Sequence, residues 1–396
     1  MERFEGVVVA GAGPVGMTAA LALAREGVPV TVLEAGAGLS DESRASTFHP
    51  PTLEILDGLG VADELVRRGL RAPTFQYRDR RDGVIAELDM SVLSGDTRFP
   101  YRLQCEQSVL TPIILNRLSH LDNVRVRFSH RVTGVRRSDP GVVVEMETPD
   151  GPGELAAPWV VGADGAHSAV RTAAGIEFPG LTYPDRYLVV STGLDLRELL
   201  PDLAYVNYIS DPAEWFVVLR TQSHWRLLFP VDAGADDASV TDPGAVRARL
   251  ATVAQSDREI PVTHVTLYRV HQRVAATFRD GPVLLAGDAA HINNPLGGMG
   301  MNSGVHDAHF LARALSGVYH GRAPVSVLDE YATTRRTVCT EHVQRTSDRN
   351  WSTIRERDPE RRRAHSAELR RIAADPALAR EYLLHTSMLH TVRAAG

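Results

Sequence analysis

The sequence predicts an α/β protein, with one layer of parallel strands and helices, an inserted and mainly antiparallel sheet, and helices at the C-terminal end. Three observations carry this reading. Short apolar runs at 7–10, 159–162 and 283–286 each lead into a glycine-containing turn and then a helical pattern, as buried parallel strands do. Between them, residues 74–90 and 186–270 contain alternating apolar and polar stretches punctuated by turn residues, which is the mark of half-buried antiparallel strands. Beyond Gly321 the periodicity is helical.

The first apolar run opens the segment VVVAGAGPVGMTAALALAREGVPVTVLEA at 7–35. Gly11, Gly13 and Gly16 form G-x-G-x-x-G ahead of a run of strong helix formers. The first glycine permits a tight turn, the second lets backbone approach a pyrophosphate, and the third lets the helix pack on the strand. Pro14 and Val15 then start a helix whose unpaired N–H groups and dipole favour a phosphate. The second strand ends at Glu34 and Ala35, near the distance of about 20 residues at which a carboxylate meets ribose hydroxyls. This is a Rossmann-like dinucleotide-binding layout, and by itself it does not separate FAD from NAD.

Two later segments bear on that choice. WVVGADGAHSAVR at 159–171 ends a strand in Asp164-Gly165 and starts a helix near His167; on the residues alone, Asp164 reads equally as a helix cap. PVLLAGDAAHINNPLGGMGMN at 282–302 runs through Gly287-Asp288, His291, Pro295, Gly297, Gly298 and Gly300 into a helix predicted from near Met301 to about Leu315. A strand-end carboxylate can hold ribityl hydroxyls, and a helix N-terminus can meet negative charge at the pyrimidine edge of a reduced flavin.

Together with the first motif, these segments resemble the DG and GD fingerprints of the group A, single-component FAD-dependent aromatic hydroxylases of p-hydroxybenzoate hydroxylase type. The resemblance covers about residues 5–350 in order. It implies FAD held by Gly11, Gly13, Pro14, Val15, Gly16, Glu34, Ala35, Asp164, Gly165, Asp288, Pro295, Gly298, Gly300, Met301 and Asn302. It also places Arg44 against the phosphates and Gln107 near the ribityl chain, where the bare residues read as a loop arginine and a helix start.

The activity implied is that of a FAD-dependent monooxygenase. NADH or NADPH reduces FAD, O2 adds to give a C4a-hydroperoxide, and one oxygen passes to a small aromatic or N-heteroaromatic ring of the phenol, hydroxypyridine or quinolone kind. Epoxidation or Baeyer–Villiger oxidation, a non-hydroxylating flavin- or nicotinamide-dependent oxidoreductase, and a flavin-binding protein stay open as alternatives. The long C-terminal extension of larger phenol-type hydroxylases has no counterpart here, so a substrate of one or two rings is expected. Pro295, through its carbonyl, and His49, as a proton relay, are the catalytic candidates; they also read as a turn former and a helix start. Tyr205, Tyr208, Trp215 and Arg220 are the candidate substrate contacts. His291 reads as ordering its turn.

Composition narrows the rest. A net charge of -6 leaves no footprint for nucleic acid. Cys105 and Cys339 are the only cysteines, which suits a reducing compartment and argues against a zinc cluster; no metal is expected. The absence of lysine excludes Schiff-base chemistry and a GxxxxGK loop, and it disfavours a flavin halogenase. No apolar stretch approaches the ~20 residues of a membrane span, and MERFEG runs straight into the first strand, so a cytoplasmic monomer or homodimer is expected.

The expected domains are a discontinuous FAD-binding domain (1–72, 98–180 and 272–324), a substrate-binding sheet (73–97 and 181–271) and a helical region (325–396). Residues 235–244 read as a polar loop, and RERDPERRRAHSAELRR as a solvated helix face. Leu378, Tyr382, Leu389 and Val392 are expected on one apolar stripe packed near the substrate entrance, with Leu384 or Met388 touching substrate.

Overall fold

The computed structural model describes residues 2–42, 45–254 and 258–393. The chain begins with β1 (Val7–Ala10), α1 (Pro14–Arg25), β2 (Val30–Leu33) and α2 (Pro50–Gly58). A hairpin follows, β3 (Thr74–Asp79) and β4 (Gly83–Asp89), turning at Gly83 with φ +79°. Next come β5 (Arg102–Gln104), α3 (Gln107–Leu118), β6 (Val124–Arg127), β7 (Trp159–Gly162) and α4 (Ala169–Ala173). The strand-rich middle holds β8 (Gly180–Thr192), β9 (Val206–Ser210), β10 (Phe216–Arg220), β11 (Trp225–Asp232), α5 (Pro243–Ala254) and β12 (His264–Val274). The last third comprises β13 (Val283–Leu285), α6 (Gly300–Tyr319), α7 (Val327–Val338), α8 (Arg345–Ile354), α9 (Pro359–Ala374), α10 (Pro376–Thr386) and α11 (Leu389–Arg393).

The six-stranded sheet has the order Arg279–Asp280, β13, β7, β1, β2, β6, and all its pairs are parallel except the first. The three strands that carry the motifs, β1, β7 and β13, are therefore neighbours, and their turns emerge along one edge. Val7, Val8, Val9, Val160, Val161, Leu284 and Leu285 are fully buried, each contributing about 1.5–3 kcal/mol from removal of apolar surface.

The eight-stranded sheet has the order His291–Ile292, β12, β8, β11, β10, β9, β3, β4, antiparallel except for the parallel pair of β9 with β3. Strand alternation splits its side chains into two layers. On the outer face, Phe216, Val218, Trp225, Leu227 and Phe229 pack with Val246, Leu250 and Val253 of α5. The inner face carries Phe75, Tyr187, Tyr208, Trp215 and Val217, which pack with Leu296 of the glycine-rich turn and with Leu383, Leu384 and Leu389 of the C-terminal helices. The strand His291–Ile292 pairs with β12, so the GD segment assigned from sequence to the nucleotide layer also edges the large sheet.

Three local expectations change. Residues 237–241 form a short helix, because the Asp236 carboxylate accepts the Ser239 N–H and caps it. α6 runs past Leu315 and through Gly317 to Tyr319, and the chain leaves the helix at Gly321 with φ +66°. The C-terminal stripe is interrupted: α10 ends at Thr386 and Met388 has φ +67°, so the buried residues are Ala379, Leu383, Leu384, Met388 and Leu389, with Leu378, Tyr382 and Val392 only half-buried. α9 is mostly solvated, with Leu369 buried and Arg362 bonded to Asp79 of β3 at 2.5 Å.

Candidate active site

The motif turns meet through glycines that leave no room for a side chain. A Cβ on Gly11 would lie 2.5 Å from the Ala163 carbonyl, and one on Gly16 would lie 2.1 Å from the Gly11 carbonyl. A Cβ on Gly287 would fall 2.8 Å from Val15 Cγ2, and one on Gly304 2.6 Å from the same atom. The first turn thus touches both later ones. By contrast, a Cβ on Gly13 or Gly165 would meet nothing within 4 Å, so these two glycines border open space beside the turns.

The hydrogen bonds show what each predicted residue does. Glu34 accepts the N–H groups of Ala12 at 2.7 Å and Gly36 at 2.8 Å, which fixes the first turn; Ala35 is exposed next to it. The Asp164 carboxylate caps α4, accepting from Ser168 Oγ at 2.6 Å and from the N–H of Ala169 at 2.8 Å, while Gly165 has φ +82°. Arg171 donates to the carbonyls of Ala166 and Ala289, both at 2.9 Å, and ties the DG turn to the GD turn. Gln107 begins α3, and its N–H donates to the Ala45 carbonyl at 3.0 Å. Asp288 is exposed at the end of the GD strand. Arg44 lies outside the described residues.

The glycine-rich turn is held from several sides. Pro295 accepts the Gly298 N–H at 2.9 Å, so its carbonyl closes the turn. Gly298 has φ +67°, and a Cβ there would lie 3.2 Å from Thr47. Asn302 donates to the carbonyls of Thr47 at 2.8 Å and Gly298 at 2.6 Å and accepts the His49 N–H at 2.8 Å. His49 Nε2 lies 2.9 Å from the Gly297 carbonyl. Burial, reinforced by the nearby Arg102 charge, pushes the His49 ring down to about 3. It is uncharged near neutral pH, and its environment is that of a turn-holding residue instead of a near-neutral proton carrier.

Beneath the turn lies a charged cluster of which the sequence reading singled out only His291. Asp307 accepts from His291 Nε2 at 2.6 Å, from Arg335 Nε at 2.7 Å and from the Gly287 N–H at 3.1 Å, and all three side chains are buried. Burial raises the Asp307 carboxyl, but His291 and Arg335 more than offset this and hold it below its usual range. His291 thus orders the GD turn. Cys339 is close enough to His291 and Asp307 to complete a set of ligand atoms within 4.8 Å, yet the guanidinium on the same carboxylate opposes a cation there.

The substrate candidates divide between the two faces. Tyr208 and Trp215 lie on the inner face. Arg220 shares the side of Phe216 and Val218 and sits 5.8 Å over Trp225, and the Tyr205 ring is 6.4 Å from Trp225. Arg220 is therefore turned toward the outer layer and leaves the set of inner-face contacts, whereas Tyr205 packs against both layers. The inner face also presents Tyr77, stacked on Tyr208 at 5.3 Å and bonded through its hydroxyl to that of Tyr382 at 2.7 Å. It also presents Arg226, paired with Glu106 at 2.6 Å beside the start of α3. Strand parity marks Arg226 as inward, because it alternates with Trp225 and Leu227. A cleft of about 360 Å³ lined by Arg137, Trp159 and Pro282 lies at the opposite ends of β7 and β13, away from the motif turns.

These features fit a flavin dinucleotide. α1 and α6 both start without a side-chain cap, so their N-terminal N–H groups are directed at the edge where the three turns converge. A dinucleotide-binding fold facing an aromatic-walled sheet defines the class as a cofactor-dependent enzyme. Residues 5–346 match the family described as FAD binding domain. The chain is 39% identical over 393 residues to para-nitrophenol 4-monooxygenase of Pseudomonas sp. strain WBC-3, covering 98% of this chain and 97% of that protein. It is 34% identical to 6-hydroxy-3-succinoylpyridine 3-monooxygenase HspB of Pseudomonas putida strain DSM 28022 / S16, over 85% of each. The crystal structure of p-nitrophenol 4-monooxygenase PnpA from Pseudomonas putida DLL-E4 superposes with a TM-score of 0.93 at 37% identity, covering 99% of both chains. The chain belongs to the single-component FAD-dependent aromatic hydroxylases and is a flavin-dependent monooxygenase. No described helix is long and apolar enough to cross a membrane.

Proposed function

We propose that this enzyme hydroxylates a small phenol or hydroxypyridine, with NADH or NADPH as reductant and O2 as oxygen source. The observation that carries the reading is the convergence of the three motif turns on one edge, opposite a sheet face walled by Phe75, Tyr77, Tyr187, Tyr208 and Trp215. The names of the two relatives, one acting on a nitrophenol and one on a hydroxypyridine, support the substrate class. Bound at that edge, FAD would supply electron transfer from the nicotinamide and activation of O2.

The chain's own residues then have distinct tasks. The start of α1 would hold the pyrophosphate, with Arg44 added on the resemblance, and Glu34 would accept ribose hydroxyls while keeping its turn bonds. Asp288 and Gln107 would hold the ribityl chain, and the N–H groups of Gly300, Met301 and Asn302 would face the pyrimidine edge. Asn302, His49 and Pro295 keep the glycine-rich turn in place, and Leu383 and Leu384 would close the pocket against water.

The test is a panel of phenols, hydroxypyridines and quinolones with FAD-loaded enzyme, following NADH or NADPH oxidation, peroxide release and product mass. Faster reductant consumption with a product one oxygen heavier is expected for at least one phenol or hydroxypyridine. Reductant use that no panel member accelerates, with all of it recovered as peroxide, would sink the reading. A lactone or epoxide product would redirect it to Baeyer–Villiger or epoxidation chemistry.

A further inference from the structure

Arg102 is a buried charge that no described carboxylate balances. It lies on β5 at 4% exposure, and among the described residues no carboxylate pairs with it. Its guanidinium makes one hydrogen bond, from Nη1 to the Tyr208 hydroxyl at 3.3 Å, and its Nε has no partner. The ring of Phe75 lies 4.0 Å from Cζ. The other buried arginines are better served: Arg335 has Asp307 at 2.7 Å, Arg226 has Glu106 at 2.6 Å, and Arg171 has two carbonyls at 2.9 Å. A guanidinium does not deprotonate in a protein, and burying one unpaired costs several kcal/mol. Among the described residues nothing of opposite charge meets it.

The position of Arg102 indicates what would meet it. On one side are the hydroxyls of Tyr208, Tyr77 and Tyr382; on the other is His49, which is neutral and rests on the Gly297 carbonyl of the glycine-rich turn. None of these is a carboxylate. The guanidinium therefore sits between the aromatic wall of the inner face and the turn expected to carry the flavin.

We propose that Arg102 is the anion-binding subsite of the substrate pocket, taking the ionised oxygen of a phenol or hydroxypyridine beside the Tyr208 hydroxyl. The inference rests on the hydroxylase reading above and deepens it by naming the ionisation state selected. An ionised oxygen feeds electron density into the ring, which favours attack by an electrophilic oxygen, so the same contact recognises and activates the substrate.

4-Nitrophenol reports its own ionisation by absorbance, so it is the first probe, titrated into FAD-loaded enzyme at several pH values. The wild type should bind the phenolate and lower the pH at which the bound phenol ionises. Arg102→Gln should raise Kd and KM for the phenol by about 10–100-fold, the loss expected for a charge-assisted hydrogen bond, and Arg102→Lys should recover part of it. Neutral 4-nitroanisole should bind wild type and Arg102→Gln alike, and FAD affinity should be the same in both. An unchanged Kd for the phenolate in Arg102→Gln, or an equal loss for 4-nitroanisole, would overturn the subsite while leaving the hydroxylase reading standing. Wild type that binds the neutral phenol in preference to the phenolate would overturn it without any variant. If no phenol or hydroxypyridine accelerates reductant use by the wild type, the functional reading itself fails.

Discussion

Single side chains in this protein act mainly by holding backbone. His49 is the clearest case: the ring is fully buried, bonded to the Gly297 carbonyl, and pushed down to about 3. In the unfolded chain it would take up a proton near pH 6.5, whereas the folded protein resists that proton. Its contribution to stability is therefore complete above about pH 6.5 and is lost as pH falls toward 3. We expect wild type to lose about 2 kcal/mol more than His49→Gln between pH 7 and pH 5, measured by urea titration. Parallel curves would show that the ring titrates near its ordinary value and would restore it as a proton relay. At the end of the GD strand, Asp288→Ala should weaken FAD about 10–100-fold by removing charge-assisted hydrogen bonds. An unchanged affinity in a fluorescence titration would remove Asp288 from the ribityl site.

At the scale of elements, the contact between α1 and α6 depends on the small size of Gly304. A methyl there would sit 2.6 Å from Val15 Cγ2 and 3.1 Å from Gly287 Cα, so overpacking outweighs the better helix propensity of alanine. Gly304→Ala should cost about 1–3 kcal/mol, and adding Val15→Ala should return part of it. A thermal melt in which the double variant is no better than the single one would place the clash elsewhere. The C-terminal helices are a second such contact: α10 seals the inner face through Leu383 and Leu384, and Tyr382 reaches the Tyr77 hydroxyl. Leu383→Ala should cost about 2–5 kcal/mol and raise the share of reductant lost as peroxide. A variant with wild-type coupling would show that this helix supports the fold without guarding the pocket.

Across the whole molecule, the six- and eight-stranded sheets are joined by the elements that build the site. The strand His291–Ile292 extends the large sheet from within the GD segment, and Arg226 of the large sheet pairs with Glu106 at the start of α3. Unfolding should therefore be one transition, with circular dichroism and tryptophan fluorescence coincident. FAD at 100 times its Kd should stabilise the folded state by about 2.7 kcal/mol, and Asp288→Ala should keep only about 0.4–1.4 kcal/mol of that shift at the same FAD concentration. Two separated transitions, only one of them moved by FAD, would show that the sheets fold independently.

The residues that determine the nucleotide layer are legible in the sequence because each turn is specified by neighbours. The glycines of the first motif, Asp164-Gly165 and Gly287-Asp288 stand directly after apolar strands, so backbone conformation and strand burial can be read within a few residues. The substrate side was not legible in the same way. Alternation showed that half the sheet's side chains face inward, but only the packed molecule decided that Tyr208 and Trp215 belong to that half, that Arg220 does not, and that Tyr205 packs against both layers. Arg102, Asp307 and Arg335 carried no local signal, since their meaning lies in the partners they have or lack. The bond between Tyr77 and Tyr382 spans 305 residues, and that between Thr52 and His306 spans 254. Local sequence dictates conformation; whether a charge is buried, paired or left facing a pocket depends on what distant segments bring to it.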